Sequence, residues 1–172
     1  IADATDLPVL LYNVPSRTVA DMLPETVAEL AAHPNIVGLK DATGDIARLK
    51  AAQKLVSDDF LLLSGDDLTG CEFLANGGHG VISVTANIVP KFMADMCNAS
   101  LAKDFQLAAK IDKQIADLHR ALFIEPNPVL PKWALHKMGL TNSAFLRLPL
   151  VESELASQNY IEQVMRSSGV LS

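Results

Sequence analysis

The chain has 172 residues, of which 49% are hydrophobic and 20% charged, a balance typical of a folded domain rather than a disordered segment. Its 14 basic and 20 acidic residues give a net charge of −6, which argues against a nucleic-acid binder. No apolar run reaches the roughly 18–20 residues that span a membrane, and we expect no signal peptide. Cys71 and Cys97 stand apart without ligand-spaced partners, which indicates free thiols. We therefore expect a cytoplasmic protein.

Four short apolar runs predict four strands. They comprise residues 8–14, 36–40, 60–64 and 80–84. Continuous apolar runs of this length are typical of parallel strands that are buried on both faces. Each run is separated from the next by enough chain for a crossover helix.

The segments between these runs predict helices. Pro24 and Pro90 suit a first helical position, because proline lacks the amide proton that a helix does not use there. Asp45 suits an N-cap, and a third helix is expected to begin at Asp67 or Thr69.

The pattern changes near residue 100. Strands stop there, and helical stretches follow at residues 105–122, 129–137 and 154–165. We therefore predict an α/β fold with four parallel β/α units in residues 1–100 and a C-terminal α-helical domain in residues 101–172. Four such units make either a small open sheet or half of an eight-unit (β/α)8 TIM barrel.

Polar residues close all four apolar runs, at Tyr12, Lys40, Ser64 and Ser83. In β/α barrels the chemistry lies at the carboxyl ends of the strands. The pattern therefore predicts a single functional face to which all four strands contribute.

Lys40 ends a buried strand and is the first candidate for catalysis. An amine held in an apolar pocket is kept partly neutral by desolvation, and a neutral amine attacks carbonyl groups. The alternative is a strand-end lysine that reaches solvent or pairs with Asp41. Position alone leaves both interpretations open.

Tyr12 and Arg17 are the next candidates. A phenol beside a reacting lysine can move protons, although strand-end tyrosines are commonly half-buried aromatics with a satisfied hydroxyl. The guanidinium of Arg17 can bind a carboxylate through two hydrogen bonds, although loop arginines are commonly plain surface charge.

Two other motifs point away from chemistry. Residues 77–80 (Gly-Gly-His-Gly) resemble a phosphate loop but precede a strand, whereas phosphate loops follow one, so a helix stop is favoured. Asp66 and Asp67 are interpreted as helix caps rather than cation ligands. The four histidines form no metal-ligand pair in the sequence, and no metal is expected.

Four motifs together resemble the pyruvate-dependent class I lyases. They are residues 12–18 (Tyr-Asn-Val-Pro-Ser-Arg-Thr), 38–45 (Gly-Leu-Lys-Asp-Ala-Thr-Gly-Asp), 63–67 (Leu-Ser-Gly-Asp-Asp) and 77–87. Within this group, residues 125–129 (Glu-Pro-Asn-Pro-Val) and the Lys132-Trp133-Ala134 segment are most similar to the dihydrodipicolinate synthase family. The resemblance runs in register over essentially the whole chain.

The resemblance implies the C-terminal half of a TIM barrel, its strands 5 to 8, followed by a helical domain. It implies that pyruvate forms a Schiff base with a lysine and then attacks L-aspartate 4-semialdehyde, in lysine (diaminopimelate) biosynthesis. No cofactor is implied, and the family suggests a homotetramer. By motif, Lys40 becomes the Schiff-base lysine and Tyr12 the proton relay. Arg17 receives the carboxylate of the aldehyde, while Gly65 and Ile82 line the pyruvate pocket.

The resemblance also implies a part that this sequence does not contain. The family has an N-terminal barrel half whose Gly-Thr-Thr-Gly-Glu segment holds the pyruvate carboxylate. A second relay tyrosine and the residues that bind lysine in feedback inhibition belong to the same half. Because the chain begins at Ile1 and lacks that segment, we expect it to be a portion of a longer enzyme and inactive in isolation.

Two alternatives stay open. The first is a sister lyase, such as N-acetylneuraminate lyase or a keto-deoxy sugar-acid aldolase. Arg17 and the segment around Trp133 favour the shorter, carboxylated aldehyde. The second is a non-catalytic half-barrel that associates with its own copies through open sheet edges.

Overall fold

The computed structural model describes residues 1–171, which form two compact units. The first unit comprises Ile1–Ile82 with Ser100–Lys103, and the second comprises Ser83–Ala99 with the chain from Asp104 onward. The units divide the chain at Ile82, whereas the sequence placed a domain boundary at residue 100. The assignment of residues 1–100 and 101–172 to separate domains stays a prediction.

The first unit contains a four-stranded, fully parallel sheet. Its strands follow the chain in the order β1-β2-β3-β4, so each strand pairs with the next one along the sequence. All four predicted strands are present. Their bounds are β1 Val9–Asn13, β2 Ile36–Asp41, β3 Leu61–Ser64 and β4 Gly80–Val81.

Strand β4 is shorter than the apolar run at residues 80–84 predicted. The Ile82 amide still donates to the Ser64 carbonyl at 2.8 Å, so strand-like pairing continues one residue beyond Val81. The Ser83 hydroxyl then accepts from the Ala86 amide at 2.9 Å. This side-chain bond favours a turn over further strand, because serine hydroxyls compete for backbone donors.

Four helices belong to the first unit: α1 Pro15–Thr18, α2 Pro24–Ala31, α3 Ile46–Gln53 and α4 Gly70–Ala75. The last three were predicted. Helix α2 begins at Pro24, and the Asp45 carboxylate caps α3 by accepting from the Ala47 amide at 2.8 Å. Helix α4 follows Thr69, one of the two predicted starting points.

Helix α1 is not among the predicted helices, because Arg17 is expected to lie in a loop. Pro15 fixes the first turn, and the Val14 carbonyl accepts from the Thr18 amide at 3.1 Å and from the Thr18 hydroxyl at 3.1 Å. The helix ends at Val19, whose φ of 57° lies in the left-handed region. One turn is too short to show the helical periodicity on which the prediction depended.

The longer helices of this unit bury one face of the sheet. The core combines Leu39 and Leu62 of the strands with side chains from α2, α3 and α4. The helical members are Val27, Leu49, Ala52 and Phe73.

The opposite face of the same sheet is open to solvent. We call it the inner face and define it by Leu10, Tyr12, Lys40, Leu61 and Ile82. The four uncharged members are 41–50% exposed, which is unusual for large side chains on a parallel sheet.

The second unit is mainly helical. The three stretches predicted after residue 100 are confirmed as helices, with ends that differ by at most about two residues from those expected. Helices α6 and α7 both contact α8, and Ile115, Leu118, Leu130, Ile161 and Met165 are fully buried. Within residues 1–171 no helix is long and apolar enough to cross a membrane. The helix bounds are α5 Pro90–Leu101, α6 Phe105–Ala121, α7 Val129–Lys137 and α8 Leu155–Ser167.

Gly38 in β2 allows a close approach that a side chain would prevent. A Cβ atom there would lie 2.6 Å from the Leu61 carbonyl oxygen and 2.7 Å from Leu10 Cδ2. We expect Gly38→Ala to destabilise the chain by about 1–3 kcal/mol in thermal melting followed by circular dichroism. Gly80→Ala is the matched control, because its Cβ would meet only the flexible end of Leu63, at 3.2 Å. Equal losses in the two variants would contradict this account.

Candidate active site

The pairing of β1 with β2 places Tyr12 directly opposite Lys40. The Lys40 Nζ atom lies 4.1 Å from the centroid of the Tyr12 ring. At this distance an ammonium group is attracted to the electron-rich face of the ring, so the contact restrains the lysine side chain. The structure therefore brings together the two residues that the sequence singled out first.

Gly65 lies against the lysine stem. It follows β3, and its amide donates to the Asp41 carbonyl at 2.7 Å. A Cβ atom at this position would lie 2.8 Å from Lys40 Cε and 2.9 Å from Ala42 Cβ. Any larger residue would have to displace the lysine, so glycine is required for this position of the amine.

Ile82 and Arg17 belong to the same unit. Ile82 is 43% exposed and is joined to the end of β3 by the hydrogen bond from its amide to Ser64. Arg17 is exposed on α1, which follows β1 after the single residue Val14. The structure thus places Ile82 on the inner face and Arg17 just beyond the carboxyl end of β1.

Asp41 does not pair with Lys40, and this pairing was one of the two alternatives, beside a lysine that reaches solvent, that the sequence left open. Side chains alternate along a strand, so Asp41 projects to the face opposite that of Lys40. There its Oδ2 atom accepts from Arg48 Nε at 3.3 Å, and its Oδ1 atom accepts from the Thr43 amide at 2.8 Å. The lysine amine is therefore left over the tyrosine ring.

The sequence reading missed a polar cluster behind this pair. Asn13 follows Tyr12 and Asp41 follows Lys40, and both contribute to a network with Asp21 and Arg48. The sequence does contain a signal for this cluster. Side chains alternate along a strand, so the polar residues that directly follow Tyr12 and Lys40 must face the helices. We call these four residues the clamp.

Of the motifs that were set aside, the glycine run plays the structural role expected of it, whereas Asp66 does not cap a helix. Gly77 has a φ of 90° just after α4, so it stops the helix as predicted. The Asp66 carboxylate accepts from the Thr69 amide at 2.9 Å and from the Thr69 hydroxyl at 2.7 Å, but the N-cap of α4 is Thr69 itself, so Asp66 holds the turn before the helix. Among residues 1–171 no group of three or more His, Cys, Asp or Glu side chains is placed to hold a metal ion.

The inner face carries an arrangement suited to carbonyl chemistry. It consists of the Lys40 amine, the Tyr12 phenol and the space left by Gly65. The amine can add to a small keto compound, and the phenol can give or take protons. Tyr12 is 50% exposed, so its ring is accessible from solvent in this chain.

Comparison with known proteins agrees with this geometry. The model of the dihydrodipicolinate synthetase family matches residues 1–168. The chain belongs to this family. It is 78% identical over 172 residues to a 4-hydroxy-tetrahydrodipicolinate synthase from Pseudoalteromonas atlantica, and the match covers 100% of this chain and 59% of that relative. The chain therefore spans less than two thirds of the length of this family member.

Solved structures of the family share the fold. A chloride-inhibited dihydrodipicolinate synthase from Acinetobacter baumannii, complexed with pyruvate, has a TM-score of 0.95 at 44% identity, covering 99% of this chain and 58% of that one. A monomeric dihydrodipicolinate synthase variant also has a TM-score of 0.95, at 36% identity, with the same coverage of both chains. The four parallel β/α units match half of the TIM barrel of this family, which confirms the predicted fold class.

The contact between Lys40 and Tyr12 predicts a distinct NMR signal. After reductive methylation with ¹³C-formaldehyde, the Lys40 methyl groups should resonate at high field, because they lie over an aromatic ring. We expect Tyr12→Leu to abolish this displacement and Gly65→Ala to reduce it, since the added Cβ pushes the lysine stem aside. Lys50, exposed on α3, is the internal control. A Lys40 signal that is identical in all three proteins would contradict the geometry.

Proposed function

We propose that this chain supplies the Schiff-base-forming half of a 4-hydroxy-tetrahydrodipicolinate synthase. The enzyme would condense pyruvate with L-aspartate 4-semialdehyde, in lysine (diaminopimelate) biosynthesis. The observation that carries the proposal is the position of Lys40 over Tyr12 and against Gly65, in a chain that belongs to this family.

The first step is formation of the imine. The neutral Lys40 amine adds to the keto carbon of pyruvate, and the keto oxygen leaves as water once it has been protonated. The ring of Tyr12 lies 4.1 Å from the amine, and its hydroxyl is the group that we propose to deliver and recover these protons. Gly65 leaves room for the lysine stem, and Ile82, exposed on the same face of the sheet, is proposed to supply an apolar wall of the pyruvate pocket.

The second step forms the carbon–carbon bond. Loss of a proton from the methyl carbon of the iminium gives an enamine, whose electron pair attacks the aldehyde carbon of the second substrate. The iminium itself accepts the electrons, so the proposed reaction needs no metal or organic cofactor. Arg17 is proposed to bind the carboxylate of the aldehyde substrate, since its guanidinium matches a carboxylate in two hydrogen bonds.

The cellular setting is part of the same proposal. We propose a cytoplasmic enzyme that assembles as a homotetramer when its barrel is complete. One solved relative is a monomeric dihydrodipicolinate synthase variant, so membership of the family does not fix the number of subunits. The mass of the complete protein in solution tests this point.

Two other functions differ from this proposal in what they require of the site. A sister lyase acting on a longer sugar acid would use the same Lys40 and Tyr12, but it would have no need of a cation for a short aldehyde acid. A non-catalytic, self-associating half-barrel is favoured by the exposed Leu10 and Leu61 of the inner face. A dimer that traps no pyruvate would support the second alternative.

Trapping with pyruvate and borohydride tests the proposal directly. Borohydride reduces the imine to a stable secondary amine, and peptide mass spectrometry locates it. We expect the adduct on Lys40 and none on Lys40→Arg, because a guanidinium does not form the imine. Lys50→Arg is the matched control and should trap like the parent chain. No adduct on this chain or on a version of the relatives' full length would contradict the proposal.

Tyr12→Phe separates the contact that the Tyr12 ring makes with the amine from the proton transfer that its hydroxyl is proposed to perform. The phenylalanine ring keeps the contact with the amine but cannot move a proton. In a version of the relatives' full length we expect condensation to slow by about 10²–10⁴-fold, the usual contribution of a general acid or base. Substrate consumption followed spectrophotometrically measures the rate, and borohydride trapping should still label Lys40. Turnover at the parent rate would exclude Tyr12 as the relay.

A further inference from the structure

We propose that Arg48 is a positioning residue that holds Lys40 and Tyr12 in contact from behind the sheet. The inference rests on the proposed function of those two residues, but not on any particular aldehyde substrate. It follows from the clamp, which joins the residue after Tyr12 to the residue after Lys40.

Arg48 lies at the centre of the clamp. Its Nη1 and Nη2 atoms donate to both carboxylate oxygens of Asp21, at 3.0 and 2.9 Å. Nη2 also donates to the Met22 carbonyl at 2.7 Å, and Nε donates to Asp41 at 3.3 Å. All three nitrogen atoms of the planar guanidinium therefore donate hydrogen bonds, in an arrangement that a lysine could not reproduce.

Asn13 closes the network on the β1 side. Its side-chain amide donates to Asp21 Oδ1 at 3.0 Å, and its side-chain carbonyl accepts from the Met22 amide at 3.0 Å. Asn13 is only 3% exposed, so these bonds replace hydration that burial has removed. The end of β1 is thus tied to the segment that Arg48 holds.

The clamp acts on the strand ends rather than on the inner face. Asn13 and Asp41 pair in register, one residue beyond the pair of Tyr12 and Lys40. Main-chain bonds continue the link, since the Ala42 amide donates to Asn13 at 2.9 Å and the Gly65 amide to Asp41 at 2.7 Å. Fixing these ends therefore fixes the distance across which the amine and the phenol face each other.

Electrostatics makes Arg48 the residue on which the clamp depends. Its guanidinium is the cation between the carboxylates of Asp21 and Asp41, and the side chains of Arg48 and Asp41 are only 17% and 13% exposed. Without it, the carboxylates of Asp41, which is 13% exposed, and of Asp21, which is 40% exposed, would both lose their cation, and water would screen their repulsion mainly on the side of Asp21. The strand ends would then separate, and the contact between Lys40 and Tyr12 would open.

Three variants of the full chain test this role. Arg48→Met removes the charge but keeps an apolar stem, and we expect at least about a tenfold lower rate of borohydride trapping of pyruvate at Lys40. Arg48→Lys keeps the charge without the planar fork and should be intermediate. Asp21→Asn combined with Arg48→Met removes the carboxylate repulsion and should recover part of the loss.

The control is Arg120→Met on α6, because Arg120 forms only an exposed pair with Asp117 at 3.4 Å. It should trap pyruvate like the parent chain. The high-field methyl signal of Lys40 is the second readout, and we expect it to weaken in the order of the trapping rates. General destabilisation would not produce this order or the recovery by Asp21→Asn. If Arg48→Met does not fold, Arg48→Lys carries the same comparison.

The outcomes separate this inference from the proposed function. Parent-like trapping and a parent-like Lys40 signal in folded Arg48→Met or Arg48→Lys would overturn the role of Arg48. If neither the parent chain nor a version of the relatives' full length traps pyruvate, that result would instead count against the proposed function. The Lys40 signal would still decide whether Arg48 holds the pair together.

Discussion

The pairing of β1 with β2 is the constraint on which the site depends. Parallel strands fix which residues lie side by side, and this register sets Tyr12 opposite Lys40 and Asn13 opposite Asp41. A shift by one residue would exchange the two faces, placing the amine among the helices and the carboxylate on the inner face. The pairing of β1 with β2 is irregular between Val9 and Leu10, but it is regular from Leu10 onward, so Tyr12 and Lys40 lie in the regular part.

Because side chains alternate along each strand, the two faces of the sheet have different roles. On the helix side, apolar packing around Leu39 and Leu62 gives way to the polar clamp only at the strand ends. On the inner face, the side chains proposed for chemistry are surrounded by exposed apolar residues. The Lys40 amine is thus backed by a hydrogen-bonded network while remaining accessible, as the proposed chemistry requires of a preorganised site.

Strand and helix positions were largely predictable, because apolar runs and capping residues carry local information. The helix starts at Pro24 and Asp45 and the strand before Lys40 could be predicted without any knowledge of the fold. Helix α1 was not predictable, since one turn is held by proline geometry and main-chain bonds to Val14 rather than by a pattern. Arg48 was likewise overlooked, because its partner Asp21 is 27 residues away and only the folded chain brings the two together.

The open inner face has a consequence for how the first unit unfolds. Leu10, Leu61 and Ile82 are already hydrated in the folded chain, so unfolding adds little apolar surface there. The heat-capacity increment and the denaturant dependence of unfolding both scale with newly exposed area. This unit should therefore have a smaller heat-capacity increment per residue than a closed barrel, and its stability curve should be correspondingly flat with temperature.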